Sequence, residues 1–244
     1  MSSTALELLG GDEVDQTCWQ KTPSVLAWMS KQGMGTNTDL VYEYFVTAVD
    51  AMTLTLGFSP IRWEEVCLKP RQRCRASATV IDLLCVCQVW KHFGTDLDKR
   101  TVIHAWLSTD TVVDATSKGY RVIWSVDGKY YLDALGENWT SFYNVDPLAG
   151  ITDASAQALV LGGETEMWGE TADGSDVLQT IFPRAAAAAE RQWTYDIPSA
   201  SAVGVADRLQ AFRCLLLERG IPAAPVANVN ARTAPSGPGS CMRQ

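Results

Sequence analysis

Thr101-Val102-Ile103-His104-Ala105-Trp106, then Asp110 to Lys118 closed by Gly119, then Tyr120-Arg121-Val122-Ile123-Trp124-Ser125, is the run on which the fold turns. Two short β-branched runs flank a helical stretch, and Gly119 offers the stop that a helix needs before a strand. Strand, helix and strand at these lengths form a unit that builds parallel sheets. The alternation extends in both directions. Ala5 to Leu9 reads as a strand running into Gly10-Gly11, and Ser59 to Trp63 as another. Between them, Asp39 to Leu56 is a helix whose apolar positions, Leu40, Val41, Tyr44, Phe45, Ala48, Val49, Met52 and Leu56, keep to one face. Downstream, Ala158 to Leu161 is a fifth strand followed by a second glycine pair, Gly162-Gly163. Ile181 to Trp193 is an Ala-rich helix, and Ser201 to Arg219 a closing helix with Ser201 as N-cap and Gly220 as stop. The Pro-, Gly-, Ser- and Ala-rich tail from Asn228 reads as disordered.

Composition narrows the function. Of 244 residues, 47% are hydrophobic and 20% charged, the balance of a globular chain. Its 20 Lys and Arg against 28 Asp and Glu, a net charge of −8, exclude nucleic acid or an anionic membrane surface as main partner. No apolar run approaches the roughly 18 residues of a membrane span. Met1 to Asp12 has neither a basic start nor a long apolar stretch, so no secretory signal is expected there. Only two histidines, His92 and His104, leave no room for a many-histidine apparatus. Four of seven cysteines, Cys67, Cys74, Cys85 and Cys87, cluster, but without the paired knuckles of a zinc site. No metal and no cofactor are expected.

Acids and aromatics fall where the strands end: Asp12 and Glu13, Trp63 and Glu64, Trp106, Tyr131 and Asp133, Trp168 and Glu170. In a parallel β/α barrel the C-terminal strand ends carry the active site. Acids with tryptophan, whose flat apolar face suits the C–H face of a sugar ring, suggest carbohydrate chemistry. Asp12 and Glu13 are adjacent on an extended segment and point to opposite sides, so they cannot both flank one bond. They can serve two points of one substrate, with Glu13 protonating a glycosidic oxygen and Asp12 touching a neighbouring substituent. Alone, the stretch Leu9 to Val14 reads more simply as a Gly-Gly turn followed by solvated carboxylates.

Longer motifs change that balance. Gly162-Gly163-Glu164-Thr165-Glu166-Met167-Trp168-Gly169-Glu170, then Phe182-Pro183-Arg184 and Ala185 to Ala189, resemble glycoside hydrolase family 20, the eukaryotic β-N-acetylhexosaminidases. Gly169 to Asp173 looks like the plant and algal branch, Gly10 to Glu13 matches the family's Gly-Gly-Asp-Glu signature, and Tyr130-Tyr131-Leu132-Asp133 is similar to its Trp-Tyr-Leu-Asp segment. The resemblance runs from about Leu9 to Pro225, with one large gap. It implies an α/β fold, the (β/α)8 TIM barrel, and retaining, substrate-assisted hydrolysis of terminal β-linked GlcNAc or GalNAc from glycans and glycoconjugates. In that chemistry the 2-acetamido oxygen attacks the anomeric carbon and forms an oxazolinium ion, outside the usual two-carboxylate scheme. Carried over, Glu13 is the general acid and then base, with a pKa raised by a water-poor pocket. Asp12 orients the acetamido N–H, Tyr131 bonds the acetamido oxygen, Trp63, Trp106 and Trp168 wall the sugar, and Asp133 and Glu170 bind its hydroxyls. The resemblance also implies a Cys214–Cys241 disulfide and a lysosomal, vacuolar or secreted home, where Asn138-Trp139-Thr140 would be a glycosylation sequon.

Two departures stand out. In the family Asp12-Glu13 ends the fourth barrel strand, so the chain is expected to hold about strands 4 to 8 with the C-terminal helices, in one domain over 1–226 before a tail at 227–244. A whole barrel takes about 250 residues. Val66 to Gln88 has no family counterpart. Without those 23 residues the Trp63 to Trp106 spacing falls from 43 to 20, and the block reads as a retained intron. A piece lacking strands 1–3 suggests the alternative of an inactive fragment or weak sugar-binding module. Two copies pairing would hide its open edges.

Overall fold

The computed structural model describes residues 5–64, 97–194 and 203–227. The elements in chain order are β1 (Leu6–Leu8), α1 (Thr17–Lys21), α2 (Pro23–Lys31), α3 (Asp39–Thr55), β2 (Ser59–Trp63), β3 (Val102–Ala105), α4 (Thr109–Ser117), β4 (Arg121–Trp124), α5 (Trp139–Tyr143), α6 (Ala154–Gln157), β5 (Val160–Gly163), α7 (Val177–Ile181), α8 (Arg184–Trp193) and α9 (Val203–Glu218). The chain forms two compact units: Met1–Ile123 with Gly150–Leu161, and Trp124–Ala149 with Gly162–Gln244. The block 66–88, the N-cap Ser201, Cys241 and the tail from Asn228 lie outside the described residues.

The five strands stand in the sheet in chain order, β1-β2-β3-β4-β5. β1 runs parallel to β2 with Leu6 opposite Ser59, and β2 parallel to β3 with Ile61 opposite Val102. This one-way winding without a reversal is the order of a β/α barrel segment, not of a doubly wound sheet. The first four strands fall within the predicted runs, whereas β5 starts two residues later than expected and takes in Gly162-Gly163, because Ala158 and Leu159 form the turn that leaves α6. β3 is buried at every position, as a strand covered on both faces should be. α4 begins at Ser108, whose Oγ accepts the Thr111 N–H at 3.3 Å, and ends at Gly119 with φ +83°.

α3 differs from expectation in which face turns inward. Tyr42, Val46, Asp50 and Thr53 are buried, while Tyr44, Phe45, Met52 and Leu56 of the apolar stripe are 52 to 74% exposed. The reason is Arg62 on β2. Its guanidinium is wholly buried and needs a carboxylate, which Asp50 supplies at 2.8 Å. That pairing turns the Asp50 face of α3 toward the strand.

In the second unit Tyr143, Ala187, Val205, Leu209 and Val226 form the core, with Trp139, Ala186 and Ala206 packed against it. The alanines of α8 allow that approach, with Ala187 and Ala188 wholly buried. Gly163 is required for a similar reason: a Cβ there would lie 2.3 Å from the Trp124 carbonyl oxygen.

Candidate active site

In the first unit the predicted acids follow β1. The chain leaves the strand through Gly10 at φ +62° and Gly11 at φ +104°, then reaches Glu13 at φ +48°. Among the described residues Glu13 is the only non-glycine with positive φ. An L-residue in that region costs about 1 kcal/mol or more, a strain that concentrates at functional sites. Asp12 and Glu13 are both exposed, where the resemblance implies a water-poor pocket around Glu13.

Trp63 and Trp106 stand at the ends of β2 and β3 in the same unit. Trp63 is buried and stacks on His104, with centroids 4.0 Å apart and planes at 16°. Trp106 is half-buried, and its backbone N–H donates to Glu64 Oε2 at 2.8 Å. Glu64 is itself buried, and its Oε1 accepts from the Thr111 hydroxyl at 3.1 Å. Backbone N–H groups of Leu107 and Ser108 also face it. Glu64 therefore ties the end of β2 to the turn that carries Trp106 and to the start of α4. Burial pushes its carboxyl up to about 7, against the pull of those donors.

This has a consequence for stability. Below pH 4.5 folded and unfolded chains both hold the Glu64 proton; between 4.5 and about 7 only the folded chain does. Stability from this group is therefore lost as pH rises through that window, by about 3 kcal/mol. A Gln at 64 can accept from the backbone N–H groups and donate to Thr111, with no charge to bury. Urea melts of Glu64→Gln should show that slope removed, the variant gaining on wild type between pH 4.5 and about 7 and keeping that gain above it. Parallel pH profiles for the two proteins would contradict it.

In the second unit Tyr131, Asp133, Trp168 and Glu170 come from two segments held side by side. Tyr131 bridges to Glu166, the Leu132 N–H donates to the Glu166 carbonyl at 2.7 Å, and the Glu166 N–H to the Tyr130 carbonyl at 2.9 Å. Tyr131 and Trp168 share a side-chain hydrogen bond. Burial raises the Tyr131 hydroxyl well above its ordinary value, so at neutral pH it remains a proton donor. The Asp133 carboxyl is also raised, first by burial and then by the nearby Glu170 and Asp127 charges, with Arg184 opposing. Trp168 is 40% exposed and Glu170 exposed.

Three supporting residues carry no assignment from the motifs alone. Glu64 sits beside Trp63 in the sequence, but nothing there marks it as buried. Glu166 lies within the Gly-Gly-Glu-Thr-Glu-Met-Trp motif and accepts the Ser125 hydroxyl at 2.6 Å. Arg184 lies within Phe-Pro-Arg and is buried. Its guanidinium donates to the carbonyls of Ala134 at 2.9 Å and Glu137 at 3.2 Å, of Thr180 at 2.7 Å, and of Leu132. It thus grips the backbone on both sides of Asp133.

Asn138 is exposed and caps α5: its Oδ1 accepts from the Thr140 and Ser141 N–H groups at 2.9 and 3.2 Å. Cys214 is buried and disulfide-bonded; Cys241, the partner that the resemblance implies, lies outside the described residues. Cys18 is a free, exposed thiol. No described helix is long and apolar enough to cross a membrane.

Comparison with known proteins agrees with these motifs. The profile of "Glycosyl hydrolase family 20, catalytic domain" matches residues 2–196. Beta-hexosaminidase 1 of Arabidopsis thaliana is 46% identical over 239 residues, 97% of this chain and 40% of that protein. Beta-hexosaminidase subunit B1 of Dictyostelium discoideum is 30% identical over 220 residues, 90% of this chain and 35% of that protein. The chain thus spans about two fifths of the curated relatives it matches. Among solved structures, a chitobiase from Flavobacterium johnsoniae superposes with a TM-score of 0.64 at 26% identity, covering 89% of this chain and 30% of that one. An exo β-N-acetylglucosaminidase from Vibrio harveyi, 23% identical, shares the fold with a TM-score of 0.67 over 91% of this chain and 33% of its own. The Gly-Gly-Asp-Glu turn, the parallel strands in chain order and a matching profile across most of the sequence lead to one conclusion: the chain belongs to glycosyl hydrolase family 20.

Proposed function

We propose that the chain is the catalytic portion of a retaining β-N-acetylhexosaminidase that acts on terminal N-acetylhexosamine of glycans or glycoconjugates. The observation that carries this reading is the Gly10-Gly11-Asp12-Glu13 turn, where strained backbone aims an exposed acid pair from a strand end. Asp12 accepts from the acetamido N–H and Tyr131 donates to the acetamido oxygen. That oxygen attacks the anomeric carbon as the aglycone bond breaks. Glu13 gives its proton to the departing oxygen, then takes one from the water that opens the oxazolinium ring. The sugar leaves with its β configuration, and Glu13 regains its proton. Trp63, Trp106 and Trp168 supply apolar surface, and Asp133 and Glu170 accept from sugar hydroxyls.

The family setting further supports a Cys214–Cys241 disulfide, an N-glycan on Asn138 and a lysosomal, vacuolar or secreted location, all proposals for this chain. The exclusion of the block 66–88 from the catalytic domain is likewise a proposal. A second reading has its own observation. On β1, Leu6 and Leu8 are 40% and 51% exposed, and α3 shows Phe45, Met52 and Leu56 to solvent. A surface of that kind fits a chain that is inactive alone, binds sugar weakly or pairs with a second copy. Turnover of a 4-nitrophenyl N-acetyl-β-glucosaminide, with the 2-hydroxyl glucoside as control, separates the two readings.

A further inference from the structure

We propose that Arg62, held by Asp50, is the positioning residue that fixes the Asp12-Glu13 turn by binding the carbonyls of the two residues that lead into it. The inference rests on the hexosaminidase reading for what the turn does, but on geometry for how the turn is held. Arg62 is wholly buried, twelve residues from Asp50 and some fifty from the turn. Its Nε and Nη2 donate to one Asp50 oxygen at 2.9 and 2.8 Å, and Nη2 also to the Val46 carbonyl at 3.4 Å. That leaves Nη1 directed at the Leu9 carbonyl at 3.3 Å and the Gly10 carbonyl at 3.4 Å. The hydroxyl of Tyr42, one turn before Val46 on α3, donates to the Gly11 carbonyl.

Three successive carbonyls before the acid pair are therefore held by side chains of β2 and α3. The backbone there needs such holding. The positive φ values at Gly10, Gly11 and Glu13 carry it off the sheet ladder that β1 shares with β2. Glu13 in a left-handed conformation persists only where its surroundings impose it. A guanidinium is suited to this: it is charged at every working pH, and its planar fork splits between a carboxylate on one edge and carbonyls on the other. Asp50 orients the fork and balances its buried charge. Arg62 touches neither acid and acts through the backbone alone.

Removing one partner would leave an unpaired buried charge, so the test uses Arg62→Met with Asp50→Leu, which removes both. Arg62→Lys, which keeps the charge and loses the fork, is the second variant in case the first does not fold. Two readouts apply to each. Hydrogen exchange of a peptide spanning 9–14 should rise at least about tenfold, with β3 unchanged. Turnover is compared on phenyl and 2,4-dinitrophenyl N-acetyl-β-glucosaminides. The phenyl oxygen needs the Glu13 proton and the dinitrophenyl oxygen does not, whereas a displaced Asp12 slows both, so kcat should fall on both substrates and at least about tenfold further on the first. Wild-type exchange at 9–14, or equal losses on the two aglycones in a folded variant, would overturn the assignment. If the wild-type chain turns over neither substrate, the hexosaminidase reading fails, and exchange alone decides whether Arg62 holds the turn.

Discussion

Glu13→Gln is expected to lower kcat/KM on a phenyl N-acetyl-β-glucosaminide by about 10³-fold, within the range that a positioned acid or base contributes. Gln keeps the size and the exposure of Glu13 but has no proton to give to the leaving oxygen and cannot take one from water. Stability should stay within about 0.5 kcal/mol of wild type, as for other exposed substitutions. A companion, Glu13→Gly, separates chemistry from backbone. Glycine adopts φ +48° without strain, so this variant should be more stable by about 1 kcal/mol and still inactive. Urea melts beside steady-state kinetics check both statements. Destabilisation by Glu13→Gly would mean that the left-handed conformation holds no strain, and full activity in Glu13→Gln would remove Glu13 from the mechanism.

Arg184→Met should cost about 3 to 5 kcal/mol of stability, measured by denaturant melts. Methionine fills much of the volume but leaves the carbonyls of Leu132, Ala134, Glu137 and Thr180 without the donors that now reach them. Each deprived buried carbonyl costs about 1 to 3 kcal/mol, reduced where water enters. The contact of the guanidinium with the Phe142 ring, 5.3 Å from its centroid, is lost as well. Because the grip lies on both sides of Asp133, conditions that keep the variant folded should also raise KM for the sugar. A loss under 1 kcal/mol would show that Arg184 is not the tie between these segments.

The strands were legible because β-branched runs such as Val102-Ile103 and Val122-Ile123 leave little choice, and because glycines mark where each run stops. The turn ahead of Asp12 and Glu13 was legible for the same reason: Gly10-Gly11 announces a backbone that other residues avoid, whereas the role proposed for the two acids comes from the resemblance alone. The inward face of α3 was not legible. Its apolar stripe is real, but Arg62, twelve positions beyond Asp50, decides the orientation, and a pairing at that distance leaves no periodic trace. α1, α5, α6 and α7 are four or five residues long, too short for a 3.6-residue period to register. Glu64 was visible only as an acid beside Trp63; its burial comes from β3 and α4, which the local sequence does not contain. The tryptophans divide similarly. Trp168 is 40% exposed, whereas Trp63 is buried and spends one face on His104.

The most direct test of substrate-assisted hydrolysis gives the chain two substrates that differ in one substituent. One is the 4-nitrophenyl N-acetyl-β-glucosaminide and the other the 4-nitrophenyl β-glucoside, whose 2-hydroxyl cannot attack the anomeric carbon. Turnover of the first is expected, with release of the β-anomer, seen by proton NMR at early times. On the second, kcat/KM should be at least about 10³-fold lower, because the internal nucleophile is gone. Comparable rates on the two substrates, or release of the α-anomer, would contradict substrate-assisted retention, and silence on both would contradict hydrolysis by this chain.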